Sequence, residues 1–235
     1  MAFSLEGHAD HTYDGELNHI HLLMVEMGGL ALDQSRLALA AFRRGDLAAA
    51  RDVIAREPRL DALEITGDDA IISLISRRGP IGRDLRVTMA FSKVITDLER
   101  IGDEAVRIAQ IALNIHSREE IDSGGSVFRD VDTMASGILQ LLKEALDALD
   151  TLDATDAEVL LNGNRQRGSD FQSSLARLTA FAREDANNAE HAINLTLVIK
   201  ALEGLSEHTE HLAEYIIYLV KGVDVRHRGG QRSHG

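Results

Sequence analysis

The stretch ITDLERIGDEAVRIAQIALNI, residues 95–115, is typical of one long α-helix with a single buried face. Its apolar side chains recur at steps of three and four residues, which places them along one side of a helix. These apolar positions are Leu98, Ile101, Ala105, Ile108 and Ala112. Glu99 and Asp103 stand beside the stripe, one helical turn apart. Like charges at this spacing destabilise a helix by about 0.2–0.5 kcal/mol, which indicates that something compensates the repulsion.

The same pattern occurs a second time, 104 residues later in the chain, where Leu98 and Glu99 fall on Leu202 and Glu203. Asp103 falls on Glu207, so the acidic pair repeats together with the apolar stripe. A repeat period of about half the chain favours two similar halves. Because the carboxylates recur in register with the core positions, the pair is a candidate for function.

The composition favours a helical protein with an aliphatic core. Of 235 residues, 44% are hydrophobic while only 4% are aromatic, and Ala, Leu and Ile are good helix formers or core residues. The net charge of −13 repels phosphate backbones, so nucleic acid is not an expected partner, and cations and basic protein surfaces are. The absence of cysteine excludes disulfides and thiolate metal sites.

Breaks in the apolar pattern divide the chain into helices. Gly45 and Asp46 favour a helix end followed by a helix start, and Pro58 is expected to end the second helix. We predict helices over residues 14–42, 47–56, 59–76, 81–115, 127–149, 169–181 and 186–221, with a further helical stretch interrupted at 162–164. The prediction is an all-α fold with three units: a first three-helix repeat over 1–118, a second over 119–222, and a basic disordered tail over 223–235.

The amino terminus carries acids and histidines where a secretory signal has a basic start and an apolar run. No window approaches eighteen uninterrupted apolar residues, so we expect no insertion into a membrane. Signatures of catalysis are also missing. The sequence has no Gly-Lys pair for a phosphate-binding loop and no G-x-S-x-G elbow. The sequence therefore does not favour an enzyme.

Four motifs resemble the PhoU family of phosphate-uptake regulators. They are EMG at 26–28, RRGPIGRDLR at 77–86, DLERIGDEAVRIA at 97–109, and LEGLSEHTEHLAEYIIYLVKG at 202–222, which VDVRH follows. Together they cover nearly the whole chain. The resemblance implies two tandem three-helix bundles related by a pseudo-twofold repeat.

The resemblance also implies a function. PhoU proteins are cytoplasmic, usually dimeric and not enzymes, and they hold the phosphate-starvation response off when phosphate is plentiful. They link the phosphate ABC transporter, through its ATPase subunit, to a sensor histidine kinase. They bind iron, manganese or magnesium through acidic E/D-x-x-x-D motifs.

Carried over to this chain, the family pattern implies two metal sites. The first comprises Glu64, Asp68, Glu99 and Asp103; the second comprises Asp170, Glu203, Glu207 and Glu214. The second departs from the pattern, since Gly204 replaces an arginine and His211 an asparagine. His208 and His211 are possible nitrogen ligands, which favour a transition metal.

The residues leave other interpretations open. Arg100 and Arg107 lie within reach of Asp103 along the helix, so Glu99 and Asp103 also fit a solvated ladder of salt bridges. Clustered carboxylates also suit a metal-dependent phosphoesterase or a metal-storage bundle. A group of arginines at 77, 78, 83 and 86 suits an acidic partner, phosphate or a solvated turn. Glu16 and His19 supply only one of the two Glu-x-x-His pairs that a ferritin-like site needs.

Overall fold

The computed structural model describes residues 11–116, 126–162, 165–185 and 188–225. Seven helices account for the regular structure of these ranges. They are α1 (His11–Arg44), α2 (Leu47–Arg78), α3 (Arg83–His116), α4 (Ser126–Thr151), α5 (Ala154–Asn162), α6 (Arg165–Glu184) and α7 (Asn188–Lys221). The predicted all-α fold is confirmed: α1, α2 and α3 form one three-helix unit. In the second unit, α4 and α7 correspond to α1 and α3, and α5 together with α6 corresponds to α2.

The predicted linker and tail lie mostly outside the described residues, namely at 117–125 and 226–235. The predicted boundary at residue 118 and the disorder of the tail therefore stay predictions. Among the described helices, none combines the length and the apolar composition that a membrane span requires.

The central pair of helices is α3 and α7. Helix α3 packs against α1, α2 and α7, while α7 also packs against α4, α5 and α6. The stripe from Leu98 to Ala112 is buried, with Leu98, Ile101 and Ile108 fully inaccessible. The buried apolar side chains of both units, apart from Ala154, belong to one hydrophobic cluster. The two halves therefore share one core.

Local signals at the helix ends have the predicted effect. Gly45 adopts a φ of +68° after α1, and its amide donates to the carbonyl of Ala41 at 2.9 Å. Asp46 then caps α2, because its Oδ1 accepts hydrogen bonds from the amides of Ala48 (3.1 Å) and Ala49 (3.0 Å). At the other end of the chain, Gly222 with a φ of +69° ends α7.

The predicted helix break at Pro58 is wrong. Pro58 lies inside the continuous helix α2, where it cannot donate the bond that the carbonyl of Ile54 would otherwise accept. An interior proline costs a helix about 3 kcal/mol. Burial of Val53 and Leu60 on either side of it offsets that cost, since each contributes about 1.5–3 kcal/mol when removed from water. Tertiary packing keeps the helix in one piece.

We expect Pro58→Ala to raise the free energy of unfolding by about 2 kcal/mol, measured by urea denaturation. Pro58 is exposed, so loss of its ring carbons costs little packing, and the gain of a helical hydrogen bond exceeds the loss of about 0.4–1 kcal/mol that proline contributes by restricting the unfolded chain. Pro80, the other proline, lies in the turn between α2 and α3 and is the matched control. Pro80→Ala should leave stability unchanged or slightly lower. If Pro58→Ala, like Pro80→Ala, does not raise the free energy of unfolding, the interior proline does not destabilise α2 in this fold.

Candidate functional site

The first acidic set lies where α2 packs against α3. Helix α2 contributes Glu64 and Asp68, and α3 contributes Glu99 and Asp103. Burial, followed by repulsion from Asp103 and Glu64, raises the pKa of Glu99 to about 7. The pKa of Glu64 is raised as well, by burial and then by Asp68. These effects couple the four carboxylates electrostatically across the contact of α2 with α3, but no three of their ligand atoms lie within 4.8 Å of one another in the described structure.

Arginine neutralises this cluster only in part. Arg100 is half exposed, and its nitrogens lie 3.4 Å from a Glu99 oxygen and 3.7 Å from an Asp103 oxygen. Arg107, which the sequence also places within reach of Asp103, pairs with Glu104 at 2.8 Å instead. The predicted salt bridge between Arg100 and Asp103 is therefore present, whereas the one between Asp103 and Arg107 is wrong.

The chemistry of the first set fits a hard metal ion. All four side chains supply carboxylate oxygens, the donors that Mg²⁺, Mn²⁺ and iron accept. Burial, and then repulsion from neighbouring carboxylates, raises the pKa of Glu64 and of Glu99 despite the opposing charge of Arg100. A bound cation relieves this repulsion directly. Metal binding here stays a prediction, which the donor set and the electrostatics support.

The second acidic set is more dispersed. Lys200 pairs with Glu203, Glu207 is exposed and Glu214 is half buried on α7. Asp170 is exposed on α6, at a cavity of about 520 Å³ whose described walls come from α4 and α6 and include the ion pair between Asp130 and Arg177. No residue of α7 is among these walls, so the cavity does not join Asp170 to the glutamates of α7.

Two histidines of α7 contact an acid of α3. The Nδ1 atoms of His208 and His211 lie 2.7 and 3.3 Å from Oδ1 of Asp97 on α3. Sequence reasoning missed this group, although two signals point to it: the histidines are three residues apart on one helix, and an acid stands within an apolar stripe on the other. What the sequence does not supply is the register between α3 and α7.

The basic group around the turn from α2 to α3 is engaged within the fold. Arg77 and Arg78 each lie 3.1 Å from the carboxylate of Glu16 on α1. Arg86 packs over the ring of Tyr218, 5.9 Å from its centroid. These contacts favour a structural role for the three arginines. Arg77 and Arg78 also occupy the carboxylate of Glu16, which is the acid of the single Glu-x-x-His pair.

The fold and the site define an all-helical protein of two tandem three-helix units, with a carboxylate cluster between the second and third helices of the first unit. Residues 24–112 match the family model of the PhoU domain. The chain is 33% identical to a PhoU homologue of the phosphate-specific transport system from Burkholderia sp., over 95% of this chain and 94% of that protein. It is 30% identical to the homologue from Pseudomonas aeruginosa, over 96% and 92% of the two chains. The chain belongs to the PhoU family.

The crystal structure of PhoU from Pseudomonas aeruginosa has the same architecture. It superimposes with a TM-score of 0.85 at 28% identity and covers 90% of this chain and 100% of that one. The two relatives carry the name accessory protein PhoU homolog, and the family is one of accessory and regulatory proteins rather than of enzymes. The resemblance inferred from the four motifs and the prediction of a non-enzymatic protein are both confirmed.

Proposed function

We propose that this protein is a negative regulator of the phosphate-starvation response, acting as a metal-binding adaptor between the phosphate ABC transporter and its sensor histidine kinase. The observation that carries the proposal is the alignment, over nearly the full length of both chains, with relatives named as accessory proteins of the phosphate-specific transport system. The ATPase subunit of the transporter and the kinase are the proposed partners. The adaptor works in the cytoplasm as a homodimer.

The first acidic set is the proposed metal site of this adaptor. Glu64 and Asp68 hold the ion from α2, and Glu99 and Asp103 hold it from α3, with iron, manganese or magnesium as the candidates. The positive charge of an ion bound here would favour the ionised form of Glu99, whose pKa is about 7 without an ion. Asp170, Glu203, Glu207 and Glu214 form the proposed second site.

We expect deletion of the gene to switch on a phosphate-responsive reporter in phosphate-rich medium. Wild-type protein restores repression, whereas the Glu99→Gln/Asp103→Asn protein does not, because amides keep the shape of the site and remove the negative charge that holds a cation. Reporter activity in the three strains is the measurement. The double variant is expected to match the deletion strain to within about 2-fold, on the premise that losing two of the four carboxylate ligands removes most of the metal affinity.

The matched control removes two carboxylates elsewhere. Glu144→Gln/Asp147→Asn changes two surface acids on α4, and it should repress the reporter as the wild type does. Circular dichroism and immunoblotting show that each variant is folded and present. An unchanged reporter in the deletion strain contradicts the regulator. Full repression by the Glu99→Gln/Asp103→Asn protein contradicts the role of the first acidic set.

A further inference from the structure

Asp97, His208 and His211 form a cluster of different chemistry from the acidic sets. Within the described residues, they are the one group of three acid or histidine side chains whose ligand atoms all lie within 4.8 Å of one another. Both imidazoles approach the same carboxylate oxygen, at 2.7 and 3.3 Å. The two rings stand edge to face with centroids 5.8 Å apart. This arrangement concentrates two nitrogens and an oxygen at one point.

The cluster lies apart from the first acidic set. Asp97 precedes Glu99 by two residues, which is a rotation of about 200° around the axis of α3. The carboxylate of Asp97 therefore faces α7, whereas Glu99 lies in the cluster between α3 and α2. His208 and His211 come from α7, so the group joins the first three-helix unit to the second.

Burial and charge at this point both favour a cation. Asp97 is only 7% exposed, and the salt bridges described for it are to the two histidines. Glu104 is also 7% exposed, and its Oε2 is a buried atom without a hydrogen-bond partner in the described structure. Burial raises the pKa of Glu104, while the charges of Arg107 and then His208 oppose the rise. A second carboxylate with an unsatisfied oxygen therefore lies close to His208.

Histidine protonation is the competing way to balance these charges. Hydrogen bonding to Asp97 raises the pKa of His211 against the effect of burial, and Glu214 and Glu207 add to the rise. A metal ion replaces such protons when it binds two neutral imidazoles. The same negative surroundings that favour the proton favour the ion.

We propose that Asp97, His208 and His211 bind a divalent transition-metal ion of the Zn²⁺ type, which bridges α3 and α7. Zinc takes imidazole nitrogen and carboxylate oxygen at about 2.0–2.2 Å, so neighbouring ligand atoms of a tetrahedral site lie about 3.3 Å apart. The two observed nitrogen–oxygen distances are within about 0.6 Å of that value. Water completes the coordination. Nitrogen ligands favour Zn²⁺ over Mg²⁺, which prefers oxygen.

The test uses the full chain after treatment with a chelator. Zn²⁺ is titrated by calorimetry near pH 8, in the presence of excess Mg²⁺ to occupy sites built from oxygen alone. We expect the wild type to bind one equivalent of Zn²⁺ at this group. Asp97→Asn and His211→Asn should each weaken that binding at least about 100-fold. In His211→Asn the amide nitrogen lies near the position of Nδ1, so the contact with Asp97 survives while the imidazole ligand is lost. Asp97→Asn keeps the shape of the side chain and removes its negative charge.

Two further measurements separate this site from the rest of the molecule. The Glu99→Gln/Asp103→Asn protein should keep its Zn²⁺ affinity in excess Mg²⁺, because its changes lie on the other side of α3. Zn²⁺ should raise the melting temperature of the wild type and not that of His208→Asn. Absence of Zn²⁺ binding in excess Mg²⁺, or binding that survives Asp97→Asn and His211→Asn in folded protein, overturns the proposal. These readouts do not depend on reporter repression, so this site and the proposed function fail separately.

Discussion

Replacement of Glu99 by glutamine should stabilise the metal-free protein by about 2–3 kcal/mol at pH 8, because the free-energy cost of ionising this side chain in the fold disappears. The pKa of Glu99 rises from 4.5 to about 7 on folding, and one pKa unit corresponds to about 1.4 kcal/mol. A group with a raised pKa stabilises the fold below pH 4.5 relative to higher pH, and this contribution is lost as the pH rises through about 7. The difference between variant and wild type should therefore shrink toward acid.

Urea unfolding of chelator-treated wild-type and Glu99→Gln proteins near pH 5 and near pH 8 tests this expectation. Glu207→Gln is the matched control, since Glu207 is exposed on α7, and it should change stability by less than about 0.5 kcal/mol at both pH values. A Glu99→Gln protein that is no more stable than wild type near pH 8 contradicts the electrostatic account of the cluster.

The effect of Mg²⁺ or Mn²⁺ on the same proteins links this electrostatic cost to ligand binding. A cation that binds the ionised cluster stabilises the wild type by an amount that grows with its concentration over its dissociation constant. The gain should be larger near pH 8 than near pH 5, where Glu99 is mostly protonated and the ion must displace the proton. Glu99→Gln should lose most of this gain.

Local sequence signals predict the features whose causes are local. The buried stripe from Leu98 to Ala112 follows from helical periodicity, and Gly45 and Asp46 mark a helix end and start through their own backbone and side-chain chemistry. Pro58 is different, because the burial of Val53 and Leu60 decides whether the helix continues, and that burial depends on the whole fold. Sequence alone therefore overestimates the effect of the proline.

Among the candidate sites, too, those set by local sequence are predictable and those set by tertiary packing are not. Glu99 and Asp103 are predictable because their spacing and their repeat lie within one helix. The partner of Arg107 is not, since Asp103 and Glu104 are both within reach of it along the helix, and the structure pairs it with Glu104. Asp97, His208 and His211 come together only through the register of α3 against α7, which no local pattern specifies.

The first repeat alone, residues 1–118, is expected not to fold, although it contains a complete three-helix unit. In the full chain, Phe42 at the end of α1 stacks on Phe128 of α4 with ring centroids 5.1 Å apart. At Gly28 of α1, a Cβ atom would lie 2.5 Å from Leu146 of α4, so these helices are in close contact. Helix α3 also packs on α7. Without the second unit, α1 and α3 therefore expose apolar surface to water, which costs about 25 cal/mol per Å².

The measurement is far-UV circular dichroism with urea titration on three samples: the full chain, fragment 1–118, and a mixture of fragments 1–118 and 119–235. The full chain should unfold in one transition, since a single core connects both units. The fragment alone should lose most of its helical signal. The mixture should regain it, because the break falls at 117–125, outside the described helices. A monomeric fragment 1–118 that is fully helical and unfolds cooperatively would mean that each unit has a self-sufficient core, and that the α3–α7 contact is a docking surface between two domains.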